Sequence, residues 1–156
     1  MWVEVGWRAG LANQPTSTHI GDGLELTDVR VAAAVRCAPP ANAPTPEERD
    51  TCSPWLAREL ALLPRLRVIV VLGGFGWTAL WPVLGAAGYE LPRPRPAFGH
   101  GVEVELTGPR GPLTLLGSYH VSQQNTFTGR LTEPMLDAVL GRATALARPV
   151  AGAPRA

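Results

Sequence analysis

The sequence predicts an α/β fold, a three-layer α/β/α sandwich around a mainly parallel central sheet. It forms a single domain over residues 1–148, followed by a disordered tail at 149–156. Three observations carry this. "RVIVVLGG" (Arg67–Gly74) is a continuous, β-branched apolar run, the pattern of a strand covered on both faces. Thr45-Pro46-Glu47-Glu48 reads as a helix start, with an N-cap threonine, a proline in the first turn and a glutamate placed to close a capping box. Strand-like and helix-like stretches then alternate, which suits a parallel sheet lying between helices.

Taken in order, residues 1–28 read as irregular, with "NQPTSTHIGDG" a polar loop. "VRVAAAVRC" (Val29–Cys37) is an apolar run suited to a buried strand, followed by the proline-rich loop "APPANAPTP". The helix begun at Thr45 is expected to run to about Leu63, with Trp55, Leu56, Leu60 and Leu63 on its apolar face and a kink or restart at Pro54. After the Arg67–Gly74 strand, Gly73 and Gly74 turn the chain into a helix near Phe75–Ala87. "PRPRP" (Pro92–Pro96) is an extended basic loop, and "VEVEL" and "LTLLGSY" form two strands around the turn "TGPRGP". Thr132 can cap a further helix whose apolar face is Met135, Leu136, Val139, Leu140, Ala143 and Leu146.

A length of 156 residues fits one domain, and an apolar fraction of 46% is ordinary for a globular core. The net charge is +1, so any nucleic-acid surface must be a local patch. All 14 basic residues are arginine, as a GC-rich genome would favour. No apolar run reaches the roughly 18 residues of a membrane span. The start, Met1-Trp2-Val3-Glu4-Val5, lacks the basic and apolar regions of a signal peptide. A cytoplasmic location is therefore expected, and with it no disulfide between Cys37 and Cys52.

In open α/β sheets, sites lie just beyond the carboxyl ends of strands. Three loops qualify: "CAPPAN" after Val29–Cys37, "GGFG" after the second strand, and "HVSQQN" after the last. The third gathers His120, Ser122, Gln123, Gln124 and Asn125 between an apolar run and a well-marked helix. On residue type alone each has a plainer reading, as loop solvation or a turn-fixing amide. The same holds for Arg93 and Arg95, which could meet phosphates but read more simply as solvated charge. Ser118 or Ser122 with His120 does not make a serine hydrolase, since no G-x-S-x-G elbow exists.

"AVRCAPPANAPTPEERDTC", "LGGFGW" and "YHVSQQNTFTGRLTEPMLD" together resemble the uracil-DNA glycosylase superfamily, most closely its fifth, iron–sulfur family. The resemblance covers Arg8 to Ala147 and rests chiefly on the third, long motif. It implies hydrolysis of the bond between deoxyribose and uracil, or a related deaminated base, after the base is extruded from double-stranded DNA. His120 would then be the catalytic histidine, hydrogen-bonding uracil O2 as the base leaves as an anion. Ser122, Gln123, Gln124, Asn125 and Arg130, in the same motif, would contact DNA. Asn42 matches the residue that reads uracil, its amide offering a donor and an acceptor to the N3–H and O4 edge. Cys37 and Cys52 match the last two of four thiolate ligands to a [4Fe–4S] cluster.

The family has a longer N-terminal part, with the first two cysteine ligands, the first strand and a glycine-rich loop that positions the attacking water. The chain picks up the family pattern near "WRAGLA". The expectation is therefore a piece equivalent to the C-terminal two-thirds of a monomeric enzyme, inactive and a poor holder of a cluster by itself. A catalytically inactive DNA-binding remnant of the same family is the alternative.

Overall fold

The computed structural model describes residues 2–39 and 43–148. Asn42 and the tail 149–156 lie outside the described residues, so the base-reading and disorder expectations placed on them do too.

Five helices and three strands follow in the order α1 (Trp2–Arg8), α2 (Pro46–Ala61), β1 (Val68–Leu72), α3 (Gly74–Ala86), β2 (Glu103–Leu106), β3 (Leu113–Ser118), α4 (Gln123–Phe127) and α5 (Glu133–Ala147). The sheet order is β1-β3-β2, with β1 parallel and β2 antiparallel to the central β3. The parallel character expected of the sheet thus resides in the β1–β3 pair. Side chains alternate across the pleat. Ile69, Val71, Leu113, Leu115, Val104 and Leu106 face a core completed by α2 and α3, through Leu60, Trp77, Leu80, Trp81 and Leu84. Val68, Val70 and Leu116 face Val139, Ala143 and Leu146 of α5. Helices therefore cover both faces, as the α/β/α prediction requires.

α2 starts as its local chemistry dictates. The Thr45 hydroxyl accepts from the Glu48 amide at 3.2 Å, and the Glu48 carboxylate accepts from the Thr45 amide at 2.8 Å. A cap of this kind stabilises a helix start by about 1 kcal/mol. The helix runs through Pro54 without the expected restart. At its other end Arg110 donates to the Leu60 carbonyl at 3.0 Å, satisfying a carbonyl that a helix end leaves open. Thr132 does occupy the N-cap of α5, but its side chain makes no cap hydrogen bond.

Two expectations are overturned. Residues 1–28 are not wholly irregular: Trp2–Arg8 is α1, which packs on α5. Arg8 donates to both carboxylate oxygens of Asp137, at 2.9 and 3.2 Å, and Val5 is fully buried. These partners are more than 120 residues away along the chain, so a local reading misses them. Val29–Cys37 is not a strand. Among the described residues its backbone makes no hydrogen bond to another backbone group, and Val31 is 56% exposed. Arg30 and Arg36 instead both pair with Glu59 Oε1 on α2, at 2.8 and 2.7 Å, so the segment lies as a strap against that helix. Its three successive alanines offer little apolar area to draw it into a sheet. No helix among the described residues is long and apolar enough to cross a membrane.

Candidate functional site

The carboxyl ends of β1 and β3 lie side by side, with Leu72 in register with Ser118. The Gly73 amide donates to the Ser118 carbonyl at 2.8 Å, carrying the pairing one step beyond the strands. From this point the two expected loops diverge. Gly73 has φ 89°, a left-handed conformation that glycine adopts without cost, and it turns the chain into α3. A Cβ placed there would stand 3.3 Å from the His120 Cβ, so the missing side chain lets the His120 loop sit close against the turn.

His120 itself is exposed, two residues past the end of β3. Its surroundings are tightly bonded. The Asn125 side-chain amide donates to the His120 carbonyl at 2.9 Å. Ser122 caps α4, its hydroxyl accepting from the Asn125 amide at 3.4 Å. The Thr126 and Thr128 hydroxyls donate to the Gln123 and Gln124 carbonyls, at 3.0 and 2.7 Å, and the Leu131 amide returns to the Asn125 carbonyl at 3.0 Å. The polar motif read as a loop is thus folded around a short helix, and its residues divide by task. Ser122 and Asn125 spend their side chains on the loop itself. Gln123 and Gln124 stand exposed on α4, as does Phe127, at 83%.

Beneath the loop, Val5, Leu131 and Leu136 are buried together, with Trp2, Tyr119, Val121, Met135 and Leu140 packed around them. α1 is therefore part of the floor under His120. Arg130 holds its guanidinium 4.8 Å from the centre of the Tyr119 ring. An arginine so placed is drawn to the ring face while its charge stays near the surface. Tyr119 also contacts Phe98, with ring centres 6.4 Å apart, and His100, at 5.1 Å. Sequence reasoning missed His100 and Phe98. A histidine in "FGHG" has no periodic signal, and its contact with Tyr119 spans 19 residues.

Cys37 and Cys52 fall in a second region. Cys37 is exposed and Cys52 half-buried. The Arg36 amide donates to Cys52 Sγ at 3.5 Å, which brings that sulfur against the backbone next to Cys37. Backbone N–H groups aimed at a sulfur are one of the features that tune thiolate clusters. The Arg36 guanidinium lies 5.4 Å from the centre of the Trp55 ring and pairs with Glu59. Hydrogen bonding from Arg30, with the charges of Arg36 and Arg30, holds the Glu59 carboxyl below its ordinary range. A four-thiolate cluster needs four cysteines and the sequence has two. Among the described residues no group of three or more His, Cys, Asp or Glu side chains is placed to hold a metal ion. The residues present do not by themselves fit a [4Fe–4S] group.

Of the residues singled out from sequence, His120, Ser122, Gln123, Gln124, Asn125 and Arg130 are gathered at one end of the sheet. Cys37 and Cys52 lie together on the α2 side, on a segment that is not a strand. "CAPPAN" therefore does not follow a strand end as anticipated. Arg93 and Arg95 are exposed beside Trp81 and Pro82, in a separate shallow groove.

A family model described as the uracil DNA glycosylase superfamily matches residues 2–143. The type-5 uracil-DNA glycosylase of Mycobacterium bovis is 53% identical over 142 residues, 90% of this chain and 50% of that protein. That of Thermus thermophilus is 48% identical over 139 residues, 89% of this chain and 59% of that protein. A type-4 uracil-DNA glycosylase of Archaeoglobus fulgidus is 44% identical over 54 residues, 34% of this chain. The chain spans about half the length of the type-5 relative from Mycobacterium bovis.

Proposed function

The chain belongs to the uracil DNA glycosylase superfamily, and from that premise we propose that it acts in DNA repair, with the His120 loop serving the leaving base during hydrolysis of an N-glycosidic bond. The substrate is double-stranded DNA containing uracil or a related deaminated base. The bond from C1′ to the base breaks and its electron pair leaves with the base. Water supplies hydroxyl to C1′, and the proton that water releases neutralises the base. Negative charge therefore develops on the base, at N1 and O2. An imidazole N–H of His120 stabilises that charge by hydrogen bonding to O2. A donor that meets charge only as it develops accelerates the reaction by about 2.7–4 kcal/mol.

The single observation that carries this reading is the placement of His120. It is exposed at a strand's carboxyl end, while the carbonyl of its own residue is tied down by Asn125. A fixed backbone with a free imidazole suits a group that must already be oriented when charge appears. Gln123, Gln124 and Arg130, exposed on the same rim, are assigned to the DNA, and Asn42 to the uracil edge. Cys37 and Cys52 are assigned as two thiolates of a four-thiolate centre, which two alone cannot hold. A cytoplasmic site of action and a monomeric state go with this reading.

The alternative, a DNA-binding protein without activity, is favoured by one observation. The carboxylates preceding Val29 include Glu4, which pairs with Arg8, and Asp22, which accepts from the Thr18 and Leu24 amides at 2.6 and 3.1 Å. Both are engaged in holding structure, as is Asp28, paired with Arg148 at 3.0 Å, while Glu25 is exposed. Single-turnover cleavage of a uracil-containing duplex separates the readings. For the glycosylase, His120→Ala in a protein extended to the length of its type-5 relatives lowers the rate by about two to three orders of magnitude, with little change in binding to an abasic duplex. Equal rates in the two proteins remove His120 from the chemistry. Binding without cleavage by a protein extended to the length of its type-5 relatives selects the alternative.

A further inference from the structure

We infer that His100 is a positioning residue for His120, acting through the Ser118–Tyr119 peptide, one residue before it. This deepens the assignment of His120 above and rests on it.

The β2–β3 ladder pairs Glu103 with Leu116. Continued outward along both strands, it brings His100 opposite Tyr119. The ladder does not continue regularly, because the turn Gly99–Val102 interrupts it. The Gly101 amide donates to the Gly117 carbonyl and the Gly117 amide to the Val102 carbonyl, both at 2.8 Å. Two residues of one strand thus oppose one of the other. The first is a glycine at φ 77°, the geometry of a bulge led by a left-handed glycine. Bulges re-aim side chains and end regular pairing. Here the bulge turns the His100 side chain onto the edge of β3. Its Nδ1 accepts from the Tyr119 amide at 3.2 Å, where a regular strand would offer a main-chain carbonyl.

The turn is fixed against β3 by more than these bonds. A Cβ on Gly117 would collide with the Gly99 carbonyl oxygen and with Val102, so the two backbones meet with no side chain between them. The His100 ring lies 5.1 Å from the Tyr119 ring at a 32° tilt. His100 therefore has little freedom to leave, and the Tyr119 amide has its acceptor from a side chain.

The consequence falls on His120. The peptide entering Tyr119, one residue before His120, is set by His100, and the Tyr119 carbonyl accepts from the Ser118 hydroxyl at 3.1 Å. The His120 carbonyl is held by Asn125, and its Cβ by the close approach of Gly73. Those restraints leave the imidazole as the main moving part. The first depends on one chemical state. An Nδ1 that accepts must carry no proton, so His100 holds its proton on Nε2; the doubly protonated ring could not accept at all. The groove on which His100 also lies is lined by Glu103 and Arg142, which pair with each other at 2.8 Å.

Two substitutions separate the acceptor from the ring. His100→Asn places an amide oxygen close to where Nδ1 stands. His100→Phe keeps a ring against Tyr119 and removes the acceptor. The readouts on uniformly 15N- and 13C-labelled chain are the imidazole nitrogen shifts of His100, hydrogen exchange of the Tyr119 amide, and the Cα and Cβ shifts of His120. Single-turnover cleavage of a uracil duplex is measured in parallel. The inference expects an unprotonated Nδ1 in the unsubstituted chain. It expects a slow Tyr119 amide and unmoved His120 shifts in His100→Asn, and a fast amide with displaced His120 shifts in His100→Phe. It expects cleavage to fall about ten- to a hundredfold in His100→Phe, with substrate affinity unchanged and with recovery in His100→Asn. A protonated Nδ1, or His120 shifts in His100→Phe that match the unsubstituted chain, would overturn it. So would a cleavage rate indifferent to His100→Phe while the Tyr119 amide is released. Where the chain does not cleave, the Tyr119 amide exchange and the His120 shifts alone decide whether His100 orients His120. Should His100→Phe fail to fold, the same readouts on His100→Ala and His100→Asn settle the question, since only the second restores an acceptor.

Discussion

The His120 loop, which sequence reasoning placed at the end of a strand, and the Val29–Cys37 strap, which it read as a strand, are held in opposite ways. The loop is bonded through its backbone. The Gly73, Gly101, Gly117 and Leu131 amides all reach carbonyls across the site, and Asn125 and His100 close the remaining gaps with side chains. The strap's backbone meets no other backbone group among the described residues, and its anchors are the Arg36 amide on Cys52 Sγ and two guanidinium groups on one glutamate of α2. Backbone bonding fixes the path of a chain residue by residue. Ion pairs at a partly exposed surface fix only where their side chains end, and they weaken with salt and acid. A group that must be oriented for chemistry belongs on the first kind of support.

The contrast is tested most severely by removing what lies under the loop. Leu131 is 1% exposed, buried with Val5 and Leu136. Leu131→Ala is expected to cost about 2–5 kcal/mol of global stability, measured by urea denaturation, because its neighbours cannot close the gap. A cost near that of a surface substitution would mean that the floor is looser than its burial implies. Asn125→Ala is a milder probe. It removes the donor to the His120 carbonyl and is expected to cost about 0.5–1.5 kcal/mol. Faster amide exchange should be confined to His120–Leu131, and exchange spreading across β3 would contradict a locally closed loop.

The smallest effect belongs to the strap. Glu59→Gln should cost about 0.2–1 kcal/mol near neutral pH and speed tryptic cutting after Arg30 and Arg36. The sign with pH follows from the lowered Glu59 value. The ionised carboxylate is the form that the folded state favours, so its contribution is fully present above the ordinary value of 4.5. It is lost as pH falls through the lower folded value. The urea midpoints of Glu59→Gln and the unsubstituted chain should therefore converge on acidification. A gap that persists undiminished on acidification would assign the effect to packing instead of charge.

What could be read from sequence divides along the same line. The capping box of α2 and the β-branched run of β1 are written in consecutive residues, and both stand where the sequence put them. The His120 loop was legible because its motif is long. Val29–Cys37 misled because an apolar run specifies a strand only when an edge accepts it, and here Arg30 and Arg36 pair with Glu59 of α2 instead. α1 was missed because its partners are on α5, and His100 because a ring nitrogen replacing a main-chain carbonyl leaves no pattern in the residues around it.

The clamp between α1 and α5 also bears on how the molecule comes to be folded. Arg8 and Asp137 stand 129 residues apart, and Val5 shares its burial with Leu131 and Leu136. Closing so long a loop is entropically costly before any contact rewards it, so the floor under His120 is expected to assemble late. On the ribosome, α1 would wait roughly ten seconds for its partner to be made. During that interval Trp2 and Val5 have no cover from α5. This apolar face of α1 accordingly needs shelter in the nascent chain, and the histidine it supports takes its working position only once α5 has been made.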